Sequence, residues 1–236
     1  MIMRSKSLTF TPAKKIIYVA FLLCLTFGAC KKVEKDNNVY GAIAIVNAAP
    51  TVATYDFYLN GSKTNSVPIP AGGAMPYSQK VTGNYDLKFT ISGRTESLFA
   101  KNITIAPNAY QTYYLVGRPA TLDGFMIIDD RSQVSTTQAF VRFVNASPDA
   151  PALDLYQGTI AFATNKAFKA YGGYVAINAG SYTFDIKETA NGSVKATTEN
   201  YAFLAGGYYT IMAKGLIAPA AGGIELPLSA AVMINK

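Results

Sequence analysis

The sequence predicts an all-β protein: two tandem antiparallel β-sandwich domains, immunoglobulin-like or transthyretin-like, behind a lipoprotein signal peptide. Three observations predict it. Apolar side chains alternate with period two along short segments, the mark of half-buried strands. Turn residues punctuate those segments at about 8–12 residue spacing, as in sandwiches. Motifs in one half of the chain recur in the other half at an offset of 97 or 98 positions. No segment beyond residue 30 carries a helical stripe.

Composition agrees. Of 236 residues, 50% are hydrophobic and 15% charged, enough to bury a core. The 19 Gly, 11 Pro, 16 Tyr and 13 Phe suit strands and turns. There is no His and no Trp. Histidine triads, histidine general bases and histidine-ligated metals are therefore excluded.

The first 29 residues read as an export signal. Arg4, Lys6, Lys14 and Lys15 make a basic start, and Ile16 to Phe27 an apolar stretch of twelve, short for a membrane span. An uncleaved anchor helix is the alternative. Leu25-Thr26-Phe27-Gly28-Ala29-Cys30 resembles a bacterial lipobox, in which the thiol of Cys30 is lipidated and the signal is cut before it. Phe27 stands where a small aliphatic residue is usual, and an ordinary signal-peptidase site is the alternative. Lys31 to Asn38 is a polar tether, so residues 30–38 are lipidated Cys and tether. Several acyl chains hold firmly at about 0.8 kcal/mol per buried methylene. The leader takes four of the 21 basic residues and none of the 14 acidic ones, leaving 17 against 14, a net +3. Nucleic acid loses its electrostatic support as a partner. The expected localisation is the bacterial cell envelope, lipid-anchored, in the outer membrane and facing the periplasm or the surface.

Domain 1 is expected over 39–130, a linker over 131–138, and domain 2 over 139–236. Val46-Asn47-Ala48-Ala49-Pro50 matches Val144-Asn145-Ala146-Ser147-Pro148, and Asp56-Phe57-Tyr58 matches Asp154-Leu155-Tyr156. Tyr77, Gly83 and Tyr85 match Tyr174, Gly180 and Tyr182, and Gly117 matches Gly215. An offset this long exceeds a solenoid repeat, so each copy is a domain. Strands are expected in the first copy over 41–47, 53–60, 74–80, 84–91, 97–105, 110–117 and 123–129. In the second they fall over 139–145, 152–157, 160–164, 173–177, 181–187, 194–204, 208–214 and 224–234. A fragment starting near Ser135 is expected to fold alone, its alternation supplying a core.

The second copy resembles a bacterial family. Phe140 to Tyr156 (FVRFVNASPDAPALDLY), Tyr174 with Ala179-Gly180-Ser181-Tyr182-Thr183, and Ala205-Gly206-Gly207-Tyr208-Tyr209-Thr210 with Gly215 are similar to the domain of unknown function 4397, found in exported bacterial proteins and often in tandem. The first copy resembles it over 42–117 and has Thr51 where the motif has Asp. The resemblance implies a fold and an exported location, with no activity, cofactor or catalytic residue attached.

Asn145, Asp149 and Asp154 are the distinctive polar residues. Their bland reading is turn chemistry, Asn145 capping the turn and Asp149 accepting backbone amides, with Asp154 buried and hydrogen-bonded. The alternative is a weak cation site of oxygen ligands, with calcium the only plausible ion. Tyr110 and Tyr208, at strand starts, are candidates for a tyrosine corner. Tyr113, Tyr114, Tyr171, Tyr201 and Tyr209 are candidates to face a ligand, by stacking on sugar or meeting a protein. The expected function is a non-enzymatic binding, adhesion or scaffold module without cofactor, with envelope proteins or glycans as partners. A carbohydrate-binding accessory lipoprotein is the second reading. A hydrolase is a distant third, since it needs paired carboxylates that the sequence does not place together.

Overall fold

Each copy threads back and forth between two sheets, because every expected strand offers one apolar face. The computed structural model describes residues 38–235, and the expected leader and Cys30 lie outside them. In the first copy the strands are β1 (Tyr40–Asn47), β2 (Tyr55–Leu59), β3 (Ser62–Lys63), β4 (Ala74–Val81), β5 (Gly83–Ile91), β6 (Phe99–Ile105), β7 (Tyr110–Val116) and β8 (Asp123–Ile128). They form an outer sheet in the order β3-β2-β5-β6 and an inner sheet in the order β4-β1-β7-β8. The core between them holds Ile43, Ile45, Phe57, Leu87, Phe89 and Tyr113. Asn60 and Gly61 turn β2 into β3 with φ of 48° and 77°, the left-handed pair that a tight hairpin requires.

The second copy repeats this with β9 (Gln138–Asn145), β10 (Leu153–Gln157), β11 (Ile160–Lys166), β12 (Val175–Asn178), β13 (Gly180–Tyr182), β14 (Asp185–Glu188), β15 (Val194–Thr197), β16 (Tyr201–Phe203), β17 (Tyr208–Lys214) and β18 (Ser229–Ile234). Its outer sheet is β11-β10-β14-β15 and its inner sheet β12-β9-β17-β18, with β13-β16 as a separate ribbon. Phe143, Leu155, Phe184, Ile186, Phe203 and Ile211 fill the core.

The structure corrects the sequence reading in three places. The sandwiches are not purely antiparallel: β1 runs parallel to β7 and β9 to β17. Successive strands reverse direction, so the first and seventh passes of a copy run the same way, and they are neighbours in the inner sheet. Second, the long strands expected over 181–187 and 194–204 are each broken in two. At the break the Thr198 hydroxyl accepts from Phe184 N at 2.9 Å, in place of a ladder carbonyl. Third, 224–228 is not strand. Leu226 N donates to Pro50 O at 3.0 Å, and Val52 N to Ile224 O at 3.2 Å, so this segment reaches across to the first copy.

The inner strands are buried on both faces. From Gly41 to Asn47 every residue of β1 is buried, and so is every residue of β9 from Ala139 to Asn145. Odd positions such as Ile43 face their own core. Even positions of β1, β7, β9 and β17, with Ile127 of β8, face the other copy in a third core of Val46, Ala48, Tyr114, Val116, Ile127, Val144, Ala146 and Met212. The inner sheets thus stack outer face to outer face, and Asn38–Lys236 makes one compact unit. This changes the outlook for the isolated second copy, whose solvent-side face is interior in the whole chain.

Candidate functional site

Asn145 and its counterpart Asn47 do the same local work. Asn145 Oδ1 accepts from Ser147 N at 3.1 Å, and its amide donates to Lys166 O at 2.9 Å. Asn47 Oδ1 accepts from Ala49 N at 3.2 Å, and its amide donates to Ile69 O at 3.1 Å. Each closes the turn after an inner strand and ties it to the backbone opposite, Lys166 at the end of β11 or Ile69 in the loop before β4. The side chain supplies backbone partners that the ladder no longer provides.

Asp149 carries a different load. Its carboxylate accepts from Ile217 N at 2.8 Å and Ala218 N at 3.0 Å, and meets Arg118 at 3.3 Å. The first copy has Pro119 where the second has Ile217, so one of those amide donors is missing there. That accounts for Thr51 standing where the motif has Asp. Arg118 also pairs with Glu225 at 2.6 Å. A bond from Ala220 N and then Arg118 hold the Glu225 carboxyl below its ordinary range.

Asp154 serves yet another element. It accepts from Asn165 N at 2.7 Å and from the Thr189 hydroxyl at 2.6 Å. Asn145, Asp149 and Asp154 thus bond separate turns: the Asn145 amide, the Asp149 carboxylate and Asp154 Oδ1 each hold a different stretch of backbone. Among the described residues no group of three or more His, Cys, Asp or Glu gathers as metal ligands do. The counterpart Asp56 pairs with Lys63 at 2.9 Å and accepts from Asn65 at 3.2 Å. Burial pushes its carboxyl up, but the bonds from Lys63, Asn65 and Gly93 outweigh it and bring it below the ordinary value.

The tyrosines divide. Tyr113, Tyr114 and Tyr209 are interior, at 1%, 0% and 3% exposure, which corrects the expectation that they face a ligand. Tyr113 sits in the first core with its hydroxyl over Gly124, where a Cβ would collide with it. Tyr114 stacks on Phe125 in the core between copies, at 5.1 Å and 14°. Tyr209 makes the corner bond expected of Tyr208: its hydroxyl oxygen accepts from Leu204 N at 2.9 Å. The Tyr208 hydroxyl instead donates to Gln133 O in the linker. Tyr201 is half-buried, edge-on to Phe203 at 5.4 Å. Tyr171 is exposed. It rims a cavity of about 240 Å³ where Ile128, Asp130 and Gln133 face Arg142 and Tyr174.

The polar centre between the copies has no counterpart in the sequence reading. Arg142, in the middle of β9, forms an ion pair with Asp129, and the two side chains are 2% and 0% exposed. Asp129 also accepts from the hydroxyls of Thr112 and Tyr77, each at 2.6 Å. Arg142 donates to the Thr210 hydroxyl at 2.9 Å and lies over the Tyr174 ring at 4.7 Å. Burial, then the Asp129 charge, push the Tyr77 hydroxyl well above its ordinary range, so it remains a donor. Beside this centre the linker is clamped by Arg131, 4.6 Å from the Tyr110 ring and 5.5 Å from those of Tyr77 and Tyr208. The available signal was a lone Arg inside an apolar run, Phe140-Val141-Arg142-Phe143-Val144.

Comparison with known proteins gives a family and no activity. No curated protein matches the chain. Among solved structures, the Bacillus anthracis TIE protein is 13% identical at a TM-score of 0.24, covering 75% of this chain, which spans only 34% of that one. A DUF3823 family protein from Bacteroides ovatus is 9% identical at 0.21, over 69% and 97% of the two chains. A family CBM26 module of Eubacterium rectale Amy13K, solved with maltoheptaose, is 11% identical at 0.26, over 82% and 95%. A family model described as domain of unknown function (DUF4397) matches two overlapping regions, residues 41–156 and 139–226, consistent with tandem copies. With both sandwiches covered, the chain belongs to the DUF4397 family.

Proposed function

We propose that the protein is a non-enzymatic binding module of the bacterial envelope, held through lipid on Cys30 and presenting both copies as one rigid body to a protein partner. The observation that carries this reading is an exposed apolar end spanning both copies. Val52, Ile217 and Ile224 are 61%, 41% and 55% exposed. Val52 N donates to Ile224 O, and Leu216 N donates to Leu226 O at 3.0 Å, so the three stand on one knot of backbone. Arg118 pins that knot through Asp149 and Glu225. Apolar side chains held out on a fixed frame suit a protein surface. The glycan reading rests on Tyr171, exposed at the rim of its cavity.

A crosslinking pull-down of the mature protein from its own envelope separates the two. Val52→Asp/Ile224→Asp should lose the crosslinked protein while Tyr171→Ala keeps it. The reverse pattern, with bound polysaccharide, would favour the glycan reading and end the first one. The anchor has its own test. Cys30→Ser should move the protein from the membrane pellet to the soluble fraction, because no helix among the described residues is long and apolar enough to cross a membrane. Retention in the pellet would refute lipidation as the hold.

A further inference from the structure

The contact between the copies joins equivalent faces. Val46 and Val144 occupy the same place in their copies, as do Ala48 and Ala146, and Tyr114 and Met212. The hydrogen bonds agree: Asp129 N donates to Tyr110 O at 2.7 Å and Asn235 N to Tyr208 O at 2.8 Å. The Thr112 hydroxyl donates to Asp129 and the Thr210 hydroxyl to Asn235 Oδ1 at 2.8 Å. Such a face is self-complementary in shape. By shape alone, a second copy could join the second copy of another chain, and a first copy another first copy, linking chains without end.

Charge breaks this equivalence. Asp129 has Asn235 as its counterpart, and Arg142, on β9, has Ala44, on β1. The ion pair therefore exists once, with Arg142 from one copy and Asp129 from the other. In a pair of second copies, each buried Arg142 would meet an Asn235 amide. In a pair of first copies, each buried Asp129 would lie among hydroxyls with no cation. The edge of the interface is one-sided in the same sense. Lys169 of the second copy pairs with Asp123 of the first, while its counterpart Gly72 has no side chain to pair. Lys169 holds φ at 66° to do so, in the left-handed region where Gly72, at 76°, sits without strain.

We propose that the Arg142–Asp129 pair is a pairing-specificity device: it makes each inner-sheet face fit the unlike copy and reject a like copy. A buried charge without its partner is strongly disfavoured, whereas the matched pair is tolerated. The partner of each face is thus the unlike copy, which every chain carries within itself.

The test uses the full chain, cut only after folding, so that neither half folds alone. A protease site is placed at Val134, which is 92% exposed in the linker. Cut protein is mixed with isotope-labelled cut protein, exchange is allowed in mild urea, and the pairs are weighed by native mass spectrometry. The wild type should give only first-with-second pairs. Asp129→Asn/Arg142→Ala, which gives each face the residues of the other, should raise the ratio of like to unlike pairs at least tenfold. If that variant does not fold, Asp129→Asn/Arg142→Met, which keeps the volume, takes its place. Arg142→Lys, retaining the charge, should stay close to wild type. Like pairs in the cut wild type, or an unchanged ratio in the folded neutral variant, would overturn the proposal.

Discussion

Asp129→Ala should cost the protein about 3–5 kcal/mol, the usual penalty for leaving a buried charge without its partner. Arg142 would keep its charge in a site where only 2% of its side chain reaches solvent. The hydroxyls of Thr112 and Tyr77 would lose the acceptor they share. Arg142→Ala should cost a similar amount from the opposite side. The paired change Asp129→Asn/Arg142→Met should recover most of it, because apolar replacement of a whole buried pair is often neutral. Urea unfolding midpoints at neutral pH read all three. A single variant within about 1 kcal/mol of wild type would mean that water reaches the pair and the interface is open there.

The two copies should also melt as one. Val144 and Met212 are fully buried only because the first copy covers them, and each such side chain contributes about 1.5–3 kcal/mol. Tyr114, Val116 and Ile127 make the same demand in the other direction. Calorimetry of the whole chain should give a single transition, with calorimetric and van't Hoff enthalpies in agreement. A fragment of residues 135–236 should melt well below it, having lost the cover on these side chains and the Asp129 carboxylate that pairs with Arg142. Two transitions, or a fragment as stable as the whole, would show that the copies are independent.

What was legible in the sequence is what local patterning controls. The alternation of Tyr85, Leu87 and Phe89 reports one buried face and one wet face, and β5 has that form. The Asn-Ala-Ser-Pro turn was legible because Asn145 satisfies neighbours close in the chain. A period-two reading makes the inner strands half-buried, although Ala42-Ile43-Ala44-Ile45-Val46 has no polar face at all. A run of that kind marks a strand covered on both sides. The misplaced tyrosines follow from the same error, since Tyr113 and Tyr114 point to opposite faces of β7 and both faces are interior. The alternation places Asp129 at the end of the strand expected over 123–129, beside a charged linker. Nothing near it in the chain announces that its cation lies on the central strand of the other copy. The breaks in 181–187 and 194–204 depend on where one threonine hydroxyl falls, which alternation does not encode.

The parallel alignment of first and seventh strands sets the order in which the chain can fold. Ala42 has no partner on that side until Tyr110 arrives, and Phe140 must wait for Tyr208. Pairings so distant in sequence pay for loop closure before contact rewards them, and they fold slowly. The last step waits longest. Asn235, which accepts from Thr210 and donates to Tyr77 at 3.3 Å, sits at the very end of the described chain. A polypeptide delivered from its N-terminus would therefore hold the inner sheet of its first copy with a bare apolar face until β17 and β18 of the second copy were made. During that interval it would be most exposed to aggregation and most in need of a chaperone.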